Sequence, residues 1–454
     1  MTERLTDLFE KLSFFFETRK FADLRIILLD TEPADIALFM ENNLSEKEQL
    51  VFFRLLPKEL ASDVFVETET DTQEFLIKAF TDKELRELVD DMFLDDTVDI
   101  IEEMPANVVK RILANSSPEN RKQINSLLEY PDDSAGSIMT TEYVSLPASA
   151  TVEDAFEKIR RTGVNKETVY TCYVTDRKKR LIGVVTVRDM LLAEKTELIA
   201  HIMDENVITA FTLDDKEQVA LKFSKYDFLA LPVIDKEGCL VGIVTVDDAV
   251  DVIQEEATED IQKMAAIVPT EKSYLKQSVC SIWKARVPWL LLLMISATFT
   301  SMILSKYEAR LSAVLFAFVP MLMGTAGNAG NQSSATVIRA LALNEVEFKD
   351  AFKVILKELF SSIVIALTVS AVCFIKLYFI DSLYDSEVTI TVAFVVSLVL
   401  LLSIVMAKLV GCLLPLIAKK CKLDPAVVAS PFMTTIVDVL ALVIYCTVAI
   451  AILA

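Results

Sequence analysis

Val287–Leu304 reads VPWLLLLMISATFTSMIL, a run with no charged side chain. About 20 such residues at helical rise cross the apolar core of a bilayer, so the stretch reads as a membrane span. Trp289 falls where an interfacial aromatic is favoured, and Lys284 and Arg286 stand just before the run. Four further runs follow it. The second starts near Leu311 and passes into GTAGNAGNQ, the third covers roughly Glu358 to Ile380, the fourth roughly Val388 to Ala418, and the fifth runs from about Ala426 onward. Five spans are predicted.

Lys and Arg in short connections set orientation. Arg339, Lys349, Lys353 and Lys357 lie between spans two and three, and Lys419, Lys420 and Lys422 between four and five. Those connections are expected on the cytoplasmic side. Asp381, Asp385 and Glu387, with no basic residue, occupy the loop between three and four, while Lys306 and Arg310 are the exception between one and two. An odd number of spans then leaves the N-terminal part in the cytoplasm and the C-terminus outside the cell membrane. Phe14–Phe16 is too short and too closely flanked by charge to read as a signal peptide.

Length and charge divide the rest. At roughly 150 residues per domain, 454 residues suggest about three domains. Residues 1–270 hold 55 acidic and 30 basic groups, against 11 and 15 afterwards. So acidic a soluble part excludes nucleic acid as a partner, because binding phosphate needs clustered positive charge, and it suits cations instead. The single histidine, His201, and seven cysteines show no zinc-type spacing, and no disulfide framework is expected.

Residues 1–135 contain no glycine and read as short helices, with breaks near Leu44-Ser45, Pro57, Thr81-Asp82, Asp95-Asp96, Pro105 and Pro118. That spacing fits a helical solenoid, an irregular bundle being the alternative. From Gly136 two segments repeat. Ile138-Met139 returns as Ile202-Met203, and Gly183–Asp189 (GVVTVRD) returns as Gly242–Asp248 (GIVTVDD). Each block reads as a buried strand whose polar end caps a following helix. The doubled motif resembles a tandem pair of cystathionine-β-synthase-type (CBS) modules, here 136–247. The resemblance implies a possible adenine nucleotide such as ATP, held by Thr186, Asp189, Thr245 and Asp248, although Thr171-Cys172 stand where an aromatic would stack the base.

Asp247–Lys263 reads as one helix with Asp247, Asp251, Glu255 and Glu259 stacked at intervals of four. Like charges so spaced cost a helix about 0.2–0.5 kcal/mol per pair. A solvated face is one explanation. The other follows from position: residues 248–283 connect the CBS pair to the first span, so a helix here is placed to pass force to the membrane domain, 284–454. Hard oxygen ligands favour Mg²⁺ or Ca²⁺, and Mg²⁺ keeps several waters and needs few direct carboxylates.

Two membrane stretches stand out. Pro320–Gln332, PMLMGTAGNAGNQ, holds three of the nine glycines, and its Asn328, Asn331 and Gln332 are costly in hydrocarbon. Pro and Gly suggest backbone broken at membrane depth, which is tolerated against protein or a watery pore, close helix packing being the alternative. Asp438, in SPFMTTIVDVLA, is the only charged side chain after Asp424 and forms a polar stripe with Ser430 and Thr434. An intramembrane carboxylate marks function by default, the alternative being a protonated Asp bonded to the amides of span two. Lys376 and Lys408 are expected near interfaces, where they can snorkel.

An acidic helical N-domain, a CBS pair, an acidic connecting helix, five spans, GTAGNAGNQ and PFMTTIVD together resemble the MgtE family of magnesium transporters and channels. The resemblance implies a multidomain membrane protein: an all-α superhelical N-domain, α/β tandem CBS modules, an acidic connecting helix and a five-helix transmembrane domain. It implies a homodimer with its pore on the dimer axis, passing Mg²⁺ inward and held shut when cytoplasmic Mg²⁺ binds the acidic domains. Asp438 would hold hydrated Mg²⁺, with Asn328, Asn331, Gln332 and Thr434 lining the pore. The plug-helix ligands would be Asp248, Asp251, Glu256, Glu259 and Asp260. Those of the N-domain would be Asp63, Asp95 and Asp99, and those of the second CBS module Asp215, Glu217 and Asp227. An ion-coupled secondary transporter of divalent cations is the alternative, and a CBS-regulated anion channel conflicts with Asp438. The chain is not expected to be an enzyme, having no P-loop, no nucleophile–base pair and no histidine in a plausible site.

Overall fold

The computed structural model describes residues 3–163, 166–270, 274, 277–307, 312–384 and 387–453. They form two compact units, Met1–Ile253 and Gln254–Ala454.

The first unit begins with ten short helices: α1 (Glu3–Glu17), α2 (Phe21–Leu29), α3 (Pro33–Asn43), α4 (Glu46–Phe53), α5 (Lys58–Val66), α6 (Thr70–Ala79), α7 (Asp82–Asp91), α8 (Leu94–Glu103), α9 (Ala106–Asn115) and α10 (Pro118–Leu127). Local chemistry sets their starts. Pro33 and Pro118 open helices where the missing amide hydrogen is not needed. Thr81 and Glu84 form a reciprocal capping box, in which the Glu84 carboxylate accepts from the Thr81 amide at 2.7 Å. The break expected at Asp95-Asp96 falls at Met92–Phe93 instead, and both acids lie in the first turn of α8, where negative charge complements the helix dipole.

Packing skips a helix. α1 lies on α3, α3 on α5, α5 on α7 and α7 on α9, while α4 meets α6 and α8 meets α10. This is the layering of a superhelix. Phenylalanine fills the layers: the rings of Phe39 and Phe52 are 5.3 Å apart, as are those of Phe53 and Phe80.

The remaining elements of this unit repeat. β1 (Ser145–Pro147), α11 (Val152–Thr162), β2 (Thr171–Thr175), β3 (Leu181–Thr186), α12 (Val187–Leu192) and α13 (Ile199–Ile202) precede β4 (Ala210–Phe211), α14 (Lys216–Tyr226), β5 (Ala230–Ile234) and β6 (Leu240–Thr245). Each module has a three-stranded sheet, ordered β1-β2-β3 and β4-β5-β6, with the first pair parallel and the second antiparallel. The register shifts at the same place in both, between Val174/Thr175 and Val233/Ile234. The two sequence repeats are halves of one contact. A Cβ on Gly183 would sit 2.8 Å from the Met203 sulfur, and one on Gly242 would sit 2.8 Å from the Met139 sulfur. Each glycine thus receives the methionine that opens the other module. Val219, Leu231 and Val244 of the second module share a continuous core with the N-terminal helices.

α15 (Val246–Met264) carries the chain from the first unit into the second. Five helices there are long and apolar enough to cross a membrane: α16 (Val279–Tyr307), α17 (Ala313–Ala342), α18 (Ala351–Lys376), α20 (Ile390–Lys420) and α21 (Pro425–Leu453), with a short α19 (Ser382–Tyr384) after a π-helical turn. α20 is the hub, packing on α17, α18 and α21, and α16 rests on α21 with no buried residue of its own.

Two expectations are corrected here. α17 is one continuous helix through Pro320 and all three glycines, so the backbone is not broken. A proline deletes one backbone bond, and packed neighbours at membrane depth hold such a helix together. Only Gly330 serves close packing: its Cβ would meet the Met433 sulfur at 2.7 Å, while nothing lies within 4 Å of that position on Gly324 or Gly327. Lys408 does not snorkel. It is 5% exposed and paired with Glu358 at 3.1 Å. Arg310, Leu311 and Asp385, and the side chains of Ser430 and Pro431, lie outside the described residues.

Candidate functional site

Among the described residues, acids expected as ligands take part in two gatherings, one in each unit. In the first unit the start of α8 meets the loops before β1 and after α11 and the start of α15. Phe93 provides no side-chain cap for α8, and the Glu142 carboxylate does so from the first CBS module, accepting from the Leu94 amide at 3.1 Å. Around this contact stand Asp63, Asp95, Asp96, Glu167, Asp247 and Asp248, and their charges help to raise the proton affinity of Asp95, Asp96, Glu167 and Asp248.

Burial is the first cause of each shift, and the neighbouring charges add to it. Asp95 is pushed well above the carboxylate range by burial, then by Asp248, Asp96 and Glu167. Asp96 rises to about 7 through burial and then Asp248, Asp247, Asp63 and Glu142. Glu167 also reaches about 7, through burial and then Asp247, Asp96, Asp248 and Glu142. Asp248 reaches about 6, because burial outweighs the opposing hydrogen bond from Thr245. Burial raises Glu142 too, against the pull of its bond to Leu94 and of Lys166. Two oxygens here, Asp95 Oδ1 and Glu167 Oε2, are buried with no hydrogen-bond partner. A cation or proton fits such orphaned acceptors. Among the described residues, however, no three carboxylate, thiol or imidazole groups converge closely enough to hold a metal ion.

Apart from Asp63 at the edge of this cluster, the other expected ligands of the first unit are dispersed. Asp63, on α5, and Asp99, on α8, are exposed. Asp215 caps α14 by accepting from the Gln218 amide at 3.0 Å, Glu217 lies in the first turn of that helix, and Asp227 ends it in the left-handed conformation. The structure does not bring these three onto Asp95. Thr186 and Asp189 form a capping box for α12, and the Thr245 hydroxyl donates to Asp248 at 2.6 Å. In both modules the threonine hydroxyl donates to the aspartate three positions on.

The second gathering lies at the far end of α15. Glu259 and Asp424 each take a bond from Lys263 at 2.7 Å. Burial works against the Lys263 charge, but those two carboxylates hold it above the usual lysine range. Asp260 is raised by burial and by Asp424, and Asp251, in the first unit, by burial and Asp247. Met264 packs with Ile338 and Ala426. α15 is therefore joined at its end to the N-terminus of α21, the helix that carries Asp438.

In the membrane helices, Asp438 and Thr434 are half-buried on α21. Beside them the Thr435 hydroxyl lies 2.9 Å from that of Ser296 on α16. Val437 is buried with Ala326, Ala407, Met433 and Ala441. On α17, Asn328 and Gln332 are exposed and Asn331 half-buried, whereas Gly327, Gly330, Ser333 and Ser334 face the packed side. Exposed amides on an apolar helix require water or protein opposite them.

Sequence reasoning missed Asp96, Glu142, Glu167 and Asp247 as members of the first cluster. Asp96 was one position from a named ligand, and Asp247 heads the stacked acids of α15. Glu142 and Glu167 sit in loops with no periodicity and carried no signal.

Comparison with known proteins covers both units. The family described as the MgtE intracellular N domain matches residues 31–133, the CBS domain matches 135–195 and 199–255, and the family described as a divalent cation transporter matches 319–448. The chain is 38% identical over 432 residues to the magnesium transporter MgtE of Thermus thermophilus, spanning 94% of each chain. It is 33% identical over 449 residues to that of Bacillus subtilis, spanning 98% of each. A crystal structure of the soluble part of a magnesium transporter is similar at 32% identity and a TM-score of 0.53, covering 56% of this chain and 99% of that one.

Proposed function

The chain belongs to the MgtE family of magnesium transporters, and from that premise we propose that it carries Mg²⁺ into the cytoplasm as a channel closed by cytoplasmic Mg²⁺. The observation that carries this reading is Asp438, a lone carboxylate half-buried in an apolar helix. Asp438 offers a dication a full negative charge on α21, and Thr434, Asn328, Asn331 and Gln332 would add neutral oxygens that suit a hydrated ion. The exposed amides of α17 need a polar lining opposite them, and a second copy of the chain supplies one if the pore lies on a dimer axis. The N-terminal 270 residues then face the cytoplasm and the C-terminus the outside.

Regulation rests on the acidic junction of the first unit. Asp95, Asp96, Glu142, Glu167 and Asp248 would hold the regulatory ion through its waters, and Asp251, Glu256, Glu259 and Asp260 are separately proposed ligands along α15. The unpartnered buried oxygens of Asp95 and Glu167, and the raised proton affinities of Asp95, Asp96, Glu142, Glu167 and Asp248, support the junction assignment. A bound Mg²⁺ supplies positive charge where this cluster has a surplus of negative charge. Without it, these side chains repel one another and loosen the start of α8 and of α15. With the charge balanced, α15 is held in place, and Lys263 conveys its position to α21 through Asp424. Closure requires tighter binding in the closed state, since equal affinity for both states shifts nothing. Asp63, whose charge reaches Asp96, remains a proposed ligand of the junction, and Asp99, Asp215, Glu217 and Asp227 remain proposed ligands of the same kind elsewhere in the first unit.

Mg²⁺ uptake by protein reconstituted in vesicles tests the conduction reading. Asp438→Ala should fold normally and carry no Mg²⁺, and normal flux through that variant refutes the pore assignment. Uptake that follows a proton or sodium gradient at fixed voltage would replace the channel by a coupled transporter.

A further inference from the structure

Lys408 and Glu358 are the feature of the membrane unit that the proposed path does not use. The Lys408 side chain is 6% exposed and that of Glu358 16%, and their charged atoms lie 3.1 Å apart. The Ser333 hydroxyl donates to the same carboxylate oxygen at 2.5 Å. One oxygen atom thus ties α17, α18 and α20 together.

The tie sits beside a close approach of two helix backbones. Three residues before Ser333 on α17 is Gly330, and three residues after Lys408 on α20 is Gly411, so each glycine shares a helix face with its partner in the tie. A Cβ on Gly411 would lie 2.3 Å from the Gly330 carbonyl oxygen. The two backbones touch there. α21 rests on the same crossing: the Met433 sulfur lies 2.7 Å, and the Ala407 carbonyl 3.1 Å, from where a Gly330 Cβ would be. Met433 and Val437 are buried together, and Asp438 follows Val437.

An ion pair is a poor choice for stability alone. Two charges lose hydration on burial, and an apolar pair of similar volume often serves as well or better. What the pair adds is direction, because a short charge-assisted bond holds one separation and one rotation of its helices where apolar contacts let them slide. We propose that Lys408 and Glu358 are positioning residues for ion conduction. With Ser333 they lock the α17–α20 crossing and so fix the distance between the amide face of α17 and Asp438 on α21.

This rests on the conduction reading above, and the test separates the two. Full-length wild type, the apolar pair Lys408→Met/Glu358→Leu and the reversed pair Lys408→Glu/Glu358→Lys are reconstituted, and Mg²⁺ and Ca²⁺ uptake are measured. No uptake by wild type overturns the conduction reading itself. If wild type transports, the apolar pair should melt no lower than wild type yet lose Mg²⁺ uptake and its preference for Mg²⁺ over Ca²⁺. Misplacing a working group by an ångström costs about a hundredfold in catalysis, and the loss here is set at about tenfold or more in maximal rate. The half-saturating Mg²⁺ concentration should change little, because Asp438 is intact. The reversed pair should recover rate and preference. Wild-type transport by the apolar pair, its failure to fold, or no recovery in the reversed pair would each overturn the proposal.

Discussion

Asp96→Asn removes one charge from the acidic junction without changing side-chain size. In the wild type, burial and four neighbouring carboxylates raise Asp96 from 3.8 to about 7. An acid whose affinity for its proton is higher in the fold than in the unfolded chain penalises the fold once ionised. The penalty is absent below the ordinary value, grows as pH rises from about 4 to about 7, and is complete above that. At about 1.4 kcal/mol per unit the interval amounts to roughly 4 kcal/mol. Asp96, Glu167 and Asp248 titrate as a coupled set, so one substitution relieves about 2–4 kcal/mol of it. At about 2 °C per kcal/mol for a unit of this size, the variant should melt about 4–8 °C above wild type. The assay is thermal unfolding of full-length protein in detergent with EDTA, at about pH 8, where the penalty is complete. The gap should close as pH is lowered, and added Mg²⁺ should stabilise wild type more than the variant. Equal melting in EDTA at alkaline pH, or a gap that ignores pH, would refute the electrostatic reading of the junction.

Other parts of the structure make separate predictions. Neutralising Asp251, Glu256 and Glu259 together should leave a channel that stays open with millimolar Mg²⁺ on its cytoplasmic side, and unchanged closure in patch recordings counts against α15 as a sensor. Gly411→Ala should lower stability by about 1–3 kcal/mol, because the added methyl meets backbone and the α17–α20 crossing must part; an unchanged melting curve contradicts that packing. Tyr445→Phe deletes a buried bond to the Leu315 carbonyl, 2.6 Å long, and should cost about 1 kcal/mol in the same assay while leaving Mg²⁺ selectivity alone.

What the sequence shows depends on how far apart the partners lie. The membrane helices were legible because a long apolar run admits few other structures, and VPWLLLLMISATFTSMIL falls within α16. The doubled GhVTV block was legible as a repeat, and the family drawn from it and its companions is the one to which the comparisons lead. The crossing of Met139 to Gly242 and of Met203 to Gly183 was not legible, since it pairs residues of different modules. Pro320 and its glycines suggested a break because they are read locally, whereas the continuity of α17 is decided by the helices around it. Lys408 looked like an interfacial lysine because its partner lies fifty positions away on another helix. In the acidic junction, only the family resemblance pointed to Asp95 and Asp248, while Glu142 and Glu167 become visible only when their loops fold against α8 and α15.

The central claim is that cytoplasmic Mg²⁺ closes a path whose cation ligand is Asp438. Single-channel recording from reconstituted wild type, with Mg²⁺ stepped on the cytoplasmic face alone, tests it most directly. Open probability should be high in EDTA and fall steeply as Mg²⁺ reaches the millimolar range, with unit current carried by Mg²⁺ throughout. Openings that persist unchanged at every Mg²⁺ concentration, or no Mg²⁺ current at any, would contradict the account.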